Sequence, residues 1–260
     1  MRSADALPFM ASPLTLILGA VPWEIKPIIA ALTGLHAALL ENFPYYSGRI
    51  GRQRVVVAIT GVGKTNAAMI ATLFLTKLRP ARLLYTGSAA RLNAALRTGD
   101  VIIGKRTFHH DAGSSQVDGM KYRKIIGPRA GQPTHYRFQS DRELFDAAIA
   151  TAKSYVPKTV TANGSTYVPE VRGGDICSGD VFGMTAEKIS DIRAKLGCDL
   201  VEMEGAAIAQ VSHSLGVPHL VIRGGSNLAQ PDPGQHYKAL GQIAARQAAF
   251  FTLRLVQALA

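Results

Sequence analysis

Short apolar runs alternating with helical periodicity predict an α/β sandwich on a mainly parallel or mixed sheet. Three observations carry this. Compact apolar runs such as Leu14 to Ala20 and Val55 to Ile59 read as buried strands. Glycine turns stand beside several of them, where α/β sheets place their ligands. No linker rich in Pro, Gly and Ser divides the 260 residues, and that length suits one sizeable domain. The expected domain spans 14–260, with 1–13 as an N-terminal extension.

Taken in order, Leu14 to Ala20 begins just after Pro13 and reads as the first buried strand. Glu24 to Leu40 has apolar residues at helical spacing, with Pro27 tolerable in a first turn. Tyr45 to Ile50 and Val55 to Ile59, separated by Gly51-Arg52-Gln53-Arg54, predict a hairpin. Lys64 to Leu78 is a strong helix pattern stopped by Pro80, and Leu83 to Tyr85 and Val101 to Ile103 are short strands. Gly104 to Gln139 is polar, basic and turn-rich, the composition of a long functional loop. Asp141 to Tyr155 is helical and Val156 to Gly174 irregular. A short segment around Ile176, a helix from Thr185 to Leu196, and Leu200-Val201 follow. Met203 to Leu215 predicts a helix, His219 to Ile222 a strand, and Gln235 to Leu259 a long last helix.

Composition narrows the function classes. With 47% hydrophobic and 18% charged residues, the chain is neither disordered nor collagenous. No apolar stretch reaches the roughly 20 residues of a membrane span. The run from Pro13 to Val21 is broken by Gly19 and follows Asp5 rather than a basic segment, which argues against a signal peptide. Cys177 and Cys198 form no framework or metal spacing, which points to a reducing cytoplasm. The formal charge is +11, and nine basic residues with no acid fall between Asn42 and Gly99. They are scattered singly without interleaved aromatics, so a solvated basic face is expected rather than a nucleic-acid surface.

Four glycine turns are candidates for a ligand site: Gly19-Ala20, Thr60 to Lys64, Thr86 to Ala89, and Gly224 to Asn227. Ala58 to Thr65 meets a relaxed phosphate-loop pattern, with Ala in place of the first glycine. No strand ending in a partner Asp accompanies it. Among the few acids, Glu24 opens a helix after the first strand, where a helix N-terminus favours a carboxylate. Glu202 and Glu204 flank Met203 in an apolar segment, a costly placement unless they bind something. Asp180 in its Ser178-Gly179 turn reads as structural, His109-His110-Asp111 as a polar loop cluster, and the remaining histidines give no metal spacing. No nucleophile elbow is present.

Six motifs occur in order: Gly19-Ala20-x-x-x-Glu24, Gly61-Val62-Gly63-Lys64, Thr86-Gly87-Ser88-Ala89, Ser178-Gly179-Asp180-Val181-Phe182, Val201-Glu202-Met203-Glu204 and Arg223-x-x-Ser226-Asn227. Together they resemble the nucleoside phosphorylase/nucleosidase superfamily, above all the 5′-methylthioadenosine/S-adenosylhomocysteine nucleosidases. The resemblance implies a three-layer α/β/α sandwich with a central mixed sheet, a homodimer, and hydrolysis of purine nucleosides. It implies neither cofactor nor metal, and neither membrane nor nucleic-acid partner. By position, Glu24 matches the carboxylate that deprotonates the attacking water. Met203 and Glu204 match the ribose-contacting pair, and Ser88 a hydroxyl near sugar and nucleophile. Phe182 matches the aromatic that stacks on the purine, Gly183 supplies backbone contacts to it, and Glu202 belongs to the ribose motif.

Two departures shape the expectation. The phosphorylase branch carries an arginine where this chain has Tyr85, which favours hydrolysis over phosphorolysis. The nucleosidases carry Asp after the last serine, where it protonates the purine N7; here Ser226 is followed by Asn227. An amide donates a hydrogen bond but transfers no proton, and loss of general acid catalysis costs roughly 10²–10⁴-fold. A base that leaves more readily, such as a 6-oxopurine, another acid from the loop of His109 and His110, or a weakly catalytic nucleoside-binding homologue would each accommodate Asn227.

Overall fold

The structure is a computed structural model describing residues 12–127, 134–229 and 236–259. Its first half runs β1 (Leu14–Gly19), α1 (Pro22–Ala30), β2 (Thr33–Leu40), β3 (Phe43–Ile50), β4 (Gln53–Ile59), α2 (Lys64–Leu78), β5 (Arg82–Arg91) and β6 (Val101–His109). Two small strands, β7 (Gly113–Gln116) and β8 (Gly119–Tyr122), precede β9 (Phe138–Gln139) and α3 (Arg142–Ser154). Then come β10 (Val160–Ala162), β11 (Ser165–Tyr167), β12 (Val171–Ser178), α4 (Ala186–Leu196), β13 (Leu200–Glu202), α5 (Gly205–Leu215), β14 (His219–Leu228) and α6 (His236–Ala258).

Among the described residues, ten strands form one mixed sheet in the order β13-β12-β6-β14-β5-β1-β4-β3-β2, with β9 added on β6. β1 runs parallel to β4 and β5, and β14 parallel to β5 but antiparallel to β6. β13 also pairs with β5, which curls five strands into a closed ring. Successive residues face opposite layers, as the two-residue period of a strand requires. Leu16 and Leu18 pack with Phe74 of α2 and Ile208 of α5, whereas Ile17 packs with Ile28 of α1 and Phe251 of α6. Helices therefore cover both faces, and the expected three-layer sandwich is what forms.

The predicted hairpin is β3–β4, paired from Tyr45↔Ala58 to Ile50↔Gln53, and α2 has the predicted bounds. The helix expected over Glu24 to Leu40 instead stops at Ala30, and Thr33–Leu40 is an edge strand on β3. Gly34 in that strand adopts φ 63°, and the ladder to β3 overrides the helix preference of its Ala and Leu residues. Pro27 lies in the second turn of α1, not the first, because the helix begins at Pro22. The long polar stretch after Gly104 is also more ordered than its composition suggests. β6 runs on to His109, β7 and β8 pair as a small hairpin, and β9 joins the main sheet. Val156 to Gly174 likewise holds the β10–β11 hairpin and the start of β12. Gln235, the expected start of the last helix, lies outside the described residues.

Cys177 and Cys198 correct the sequence reading most sharply. They are disulfide-bonded, with Cα atoms 5.8 Å apart, joining the end of β12 to the turn before β13. Spacing gave no reason to pair them, because the contact exists only once the sheet brings these segments together. The inference from unpaired cysteines to a reducing compartment loses its premise.

Candidate active site

β1 ends at Gly19, and the turn Ala20-Val21 delivers Glu24 to the third position of α1, where it is almost wholly buried. A carboxylate there meets backbone N–H groups that the helix leaves unpaired. Glu24 Oε2 accepts from Ala20 N–H at 2.7 Å. Its Oε1 accepts from Ser88 N–H at 2.7 Å, from the Ser88 hydroxyl at 3.2 Å and from Arg223 Nη1 at 3.5 Å. Ser88 lies on β5, so two parallel neighbouring strands fix one carboxylate. The intervening Gly87 is required sterically: a Cβ there would fall on both Arg223 Nη1 and the Glu24 carboxylate.

The second carboxylate pair stands where β13 passes into α5. Glu202 accepts from Glu204 N–H at 3.0 Å and from Gly205 N–H at 2.8 Å, thereby closing the N-terminus of α5. The Ser178 hydroxyl and Arg223 Nη2 also donate to it. Burial pushes the Glu202 pKa up, but Arg223, Ser178 and the Gly205 N–H outweigh burial and hold it below the ordinary range. Glu204 accepts from Gly63 N–H at 2.9 Å and from Arg223 Nη2 at 2.9 Å. Here burial and the neighbouring Glu202 charge prevail over Arg223, and the pKa is raised to about 8.

Arg223 joins all three carboxylates. It is fully buried in the middle of β14, with Tyr85 stacked 4.3 Å from its guanidinium carbon. Burial would lower its pKa, but Glu202, Tyr85, Glu24 and Glu204 more than reverse that, so it stays cationic. Three carboxylates around one guanidinium form an environment complementary to developing positive charge.

These groups open onto a cavity of about 690 Å³, its mouth included, within the size range of small-molecule sites. Glu24, Ser88, Glu202, Met203 and Glu204 line one end. Phe182, Gly183 and Asn227 also line the cavity, as do apolar Met184 and Val201. Ser226 alone of the predicted site residues is not on the cavity wall. It is buried behind it, with its hydroxyl 3.0 Å from the Ala89 carbonyl and 3.1 Å from Asn227 Oδ1. Asn227 Nδ2 donates to the Leu228 carbonyl at 2.8 Å, and an amide nitrogen carries a second hydrogen besides.

His109 and His110 are absent from the cavity wall. His109 Nε2 meets Gln210 Oε1 at 3.0 Å, while His110 is fully buried and its pKa is lowered to about 4 by burial. Neither is placed to replace the missing acid. The phosphate-loop reading of Ala58 to Thr65 is also overturned. The strand–turn–helix context is present, but Gly63 N–H donates to Glu204 and Lys64 Nζ to Asp111, so these donors are engaged within the protein. Sequence reasoning gave Arg223 no role of its own. The available signal was an arginine inside the otherwise apolar run His219 to Ile222 and onward, a position tolerable only with buried partners.

A mixed sheet sandwiched by helices, with buried carboxylates and an amide on one cavity wall, is the arrangement that the resemblance to nucleoside-cleaving proteins implied. The chain belongs to the phosphorylase superfamily, whose family model matches residues 15–259. It is 35% identical over 217 residues to the 5′-methylthioadenosine/S-adenosylhomocysteine nucleosidase of Shewanella denitrificans, covering 83% of this chain and 86% of that one. Among solved structures, it resembles the nucleosidase of the same name from Neisseria meningitidis in complex with methylthio-immucillin-A. That match has a TM-score of 0.79 and 30% identity, and covers 94% of this chain and 99% of that one. The S-adenosylhomocysteine nucleosidase of Streptococcus pyogenes superposes with a TM-score of 0.80 at 27% identity, covering 97% and 99% of the two chains.

Proposed function

We propose that the protein hydrolyses the N-glycosidic bond of purine nucleosides of the methylthioadenosine and adenosylhomocysteine type, releasing free base and a ribose derivative. The observation that carries this reading is the charge of the site: Glu24, Glu202 and Glu204 surround a single buried cation, Arg223. A phosphate brought beside them would be repelled by net negative charge, whereas neutral water would not be and a ribose turning cationic would be stabilised. Tyr85 occupies the position of the phosphorylase arginine and is buried against Arg223.

In this mechanism, Glu24 takes a proton from water as its oxygen attacks C1′, with the Ser88 hydroxyl beside it. The C1′–N9 electrons leave with the purine. Glu204 and Met203 hold the ribose hydroxyls, and Glu202 fixes Arg223 and the start of α5. Phe182 stacks on the base, Gly183 contacts its edge, and Asn227, steadied by Ser226, donates to N7. The proton that the departing base needs then comes from solvent. A second reading follows from Asn227 itself: its amide recognises a 6-oxopurine, or the protein binds nucleosides and cleaves them slowly.

The homodimer belongs to the same proposal. Exposed Val62 and Val181 give it apolar surface at the cavity, and light scattering on the purified chain tests it. A cytoplasmic location is proposed as well. Its test is fractionation of cells that express the chain, and recovery outside the cytoplasmic fraction would overturn it.

The direct test incubates the protein with adenosine, inosine, methylthioadenosine and adenosylhomocysteine, with and without phosphate, and quantifies free base by chromatography. Phosphate-independent release of adenine is expected. Strict dependence on phosphate would make the protein a phosphorylase. Binding without release would favour the slow homologue.

A further inference from the structure

Three turns are joined beside the cavity by contacts that the mechanism above leaves out: residues 61–64 at the start of α2, 110–112 after β6, and 179–183 after β12. α2 starts at Gly63, with no local side chain capping it. Its cap comes from across the fold, where Asp180 Oδ1 accepts from Lys64 N–H at 2.8 Å. Gly63 makes room for this approach, because a Cβ on it would stand 3.2 Å from Asp180 Oδ1. Asp111 then binds both partners, accepting from Lys64 Nζ at 2.6 Å and from Asp180 N–H at 2.9 Å. The ring of His110 lies directly beneath Gly179, so the turn also rests on a packed floor.

The same 61–64 turn donates Gly63 N–H to Glu204. The turn at 179–183 carries Phe182 and Gly183 into the cavity wall. One network of short contacts therefore runs from the carboxylate end of the cavity to the other. Resting on the nucleoside reading above, we infer that Lys64 and Asp111 are positioning residues. Their ion pair latches the base-binding turn to the turn that holds the ribose carboxylate.

The pair is suited to this by its setting. The Lys64 and Asp111 side chains are 23% and 21% exposed, so solvent screens them less than a surface pair. Burial tends to raise the Asp111 pKa, but Lys64 and the Asp180 N–H hold it below the ordinary carboxylate range. Asp111 therefore stays charged at neutral pH, and each of its oxygens has a separate donor.

The test compares K64M, D111N, the double variant and K64R by steady-state kinetics on the preferred nucleoside and by calorimetric titration with adenine. K64M and D111N are each expected to raise KM and weaken adenine binding about tenfold while kcat changes less than about threefold. The double variant should be no worse than either single, because both break one contact. K64R, which can restore the pair, should return KM to within about threefold of wild type. Unchanged KM in both singles, or losses that multiply in the double variant, would overturn the latch. So would equal falls in kcat and Tm at constant KM. Should K64M fail to fold, K64R against D111N decides the matter by the same criterion. Wild-type protein that releases no base from any nucleoside would defeat the proposed reaction, and the adenine titrations would still judge the latch.

Discussion

At the carboxylate end of the cavity, every oxygen of Glu24, Glu202 and Glu204 has a fixed donor, and one buried guanidinium is shared among all three. At the Asn227 end, one amide shares the cavity wall with apolar Met184 and Val201, and Phe182 is 59% exposed. The first end is preorganised. Its hydrogen-bond geometry is set before a ligand arrives, so reorganisation contributes little to the barrier. The second end recognises through a few adaptable contacts, so a single change of residue can alter which base is accepted or how it departs. Catalytic geometry is therefore expected to tolerate little at the carboxylate end, and specificity to move readily at the other.

Glu24→Gln strikes the preorganised end hardest. It keeps the shape but removes the proton acceptor, and base release should fall by about 10²–10⁴-fold with nucleoside binding retained. A fall below tenfold in the chromatographic assay would show that another group activates the water. The converse experiment is Asn227→Asp, which supplies a transferable proton at the adaptable end. Adenine release from methylthioadenosine should rise by roughly 10²-fold, the low end of general acid catalysis. No gain with binding intact would mean that Asn227 is not what limits the reaction.

The pH dependence distinguishes the ends further. Glu204, with its pKa raised to about 8 by burial and by Glu202, must ionise before it can accept from ribose hydroxyls through both oxygens. The value of kcat/KM should therefore rise about tenfold per pH unit from 6 to near 8, then level off. A flat profile across that range would remove Glu204 from ribose recognition. Stability should move oppositely. The unfolded Glu204 ionises near 4.5 and the folded one near 8, so in this window the folded state holds the extra proton and stability falls as pH rises. Glu204→Gln should flatten that decline in urea-unfolding measurements. The smallest effect is expected from Phe182→Ala: KM up by about tenfold, the low end for base–aromatic stacking because the ring is largely exposed. A larger drop in kcat than in affinity would assign Phe182 a role in the chemical step.

How far the sequence could be read depended on where the decisive partners lie. The bounds of α2 were legible because Lys64 to Leu78 has a sustained helical period and Pro80 follows it. The hairpin β3–β4 was legible from two apolar runs around a polar connection. β2 was not, because its Ala and Leu residues favour a helix locally and only the ladder to β3 makes them a strand. The β7–β8 hairpin was missed because β7 carries no apolar side chain and β8 offers only Met120 and Tyr122, too short a pattern to mark a strand. In the site, Glu24 and Glu204 each follow a strand closely and Asn227 lies near the end of one, and their local motifs marked them. Ser226 was grouped with them by adjacency alone, and the fold turns it away from the cavity.

The sequence by itself determined the alternating elements, the three acids near strand ends and the amide at position 227, since each of these is a matter of local pattern and residue type. Only the tertiary structure decided which charges share Arg223, that Asp180 caps a helix 116 residues away, and that Cys177 meets Cys198. The physical reason is the same in each case. A buried charge or thiol is defined by the neighbours that replace water around it, and those neighbours come from strands far apart in the chain but adjacent in the sheet.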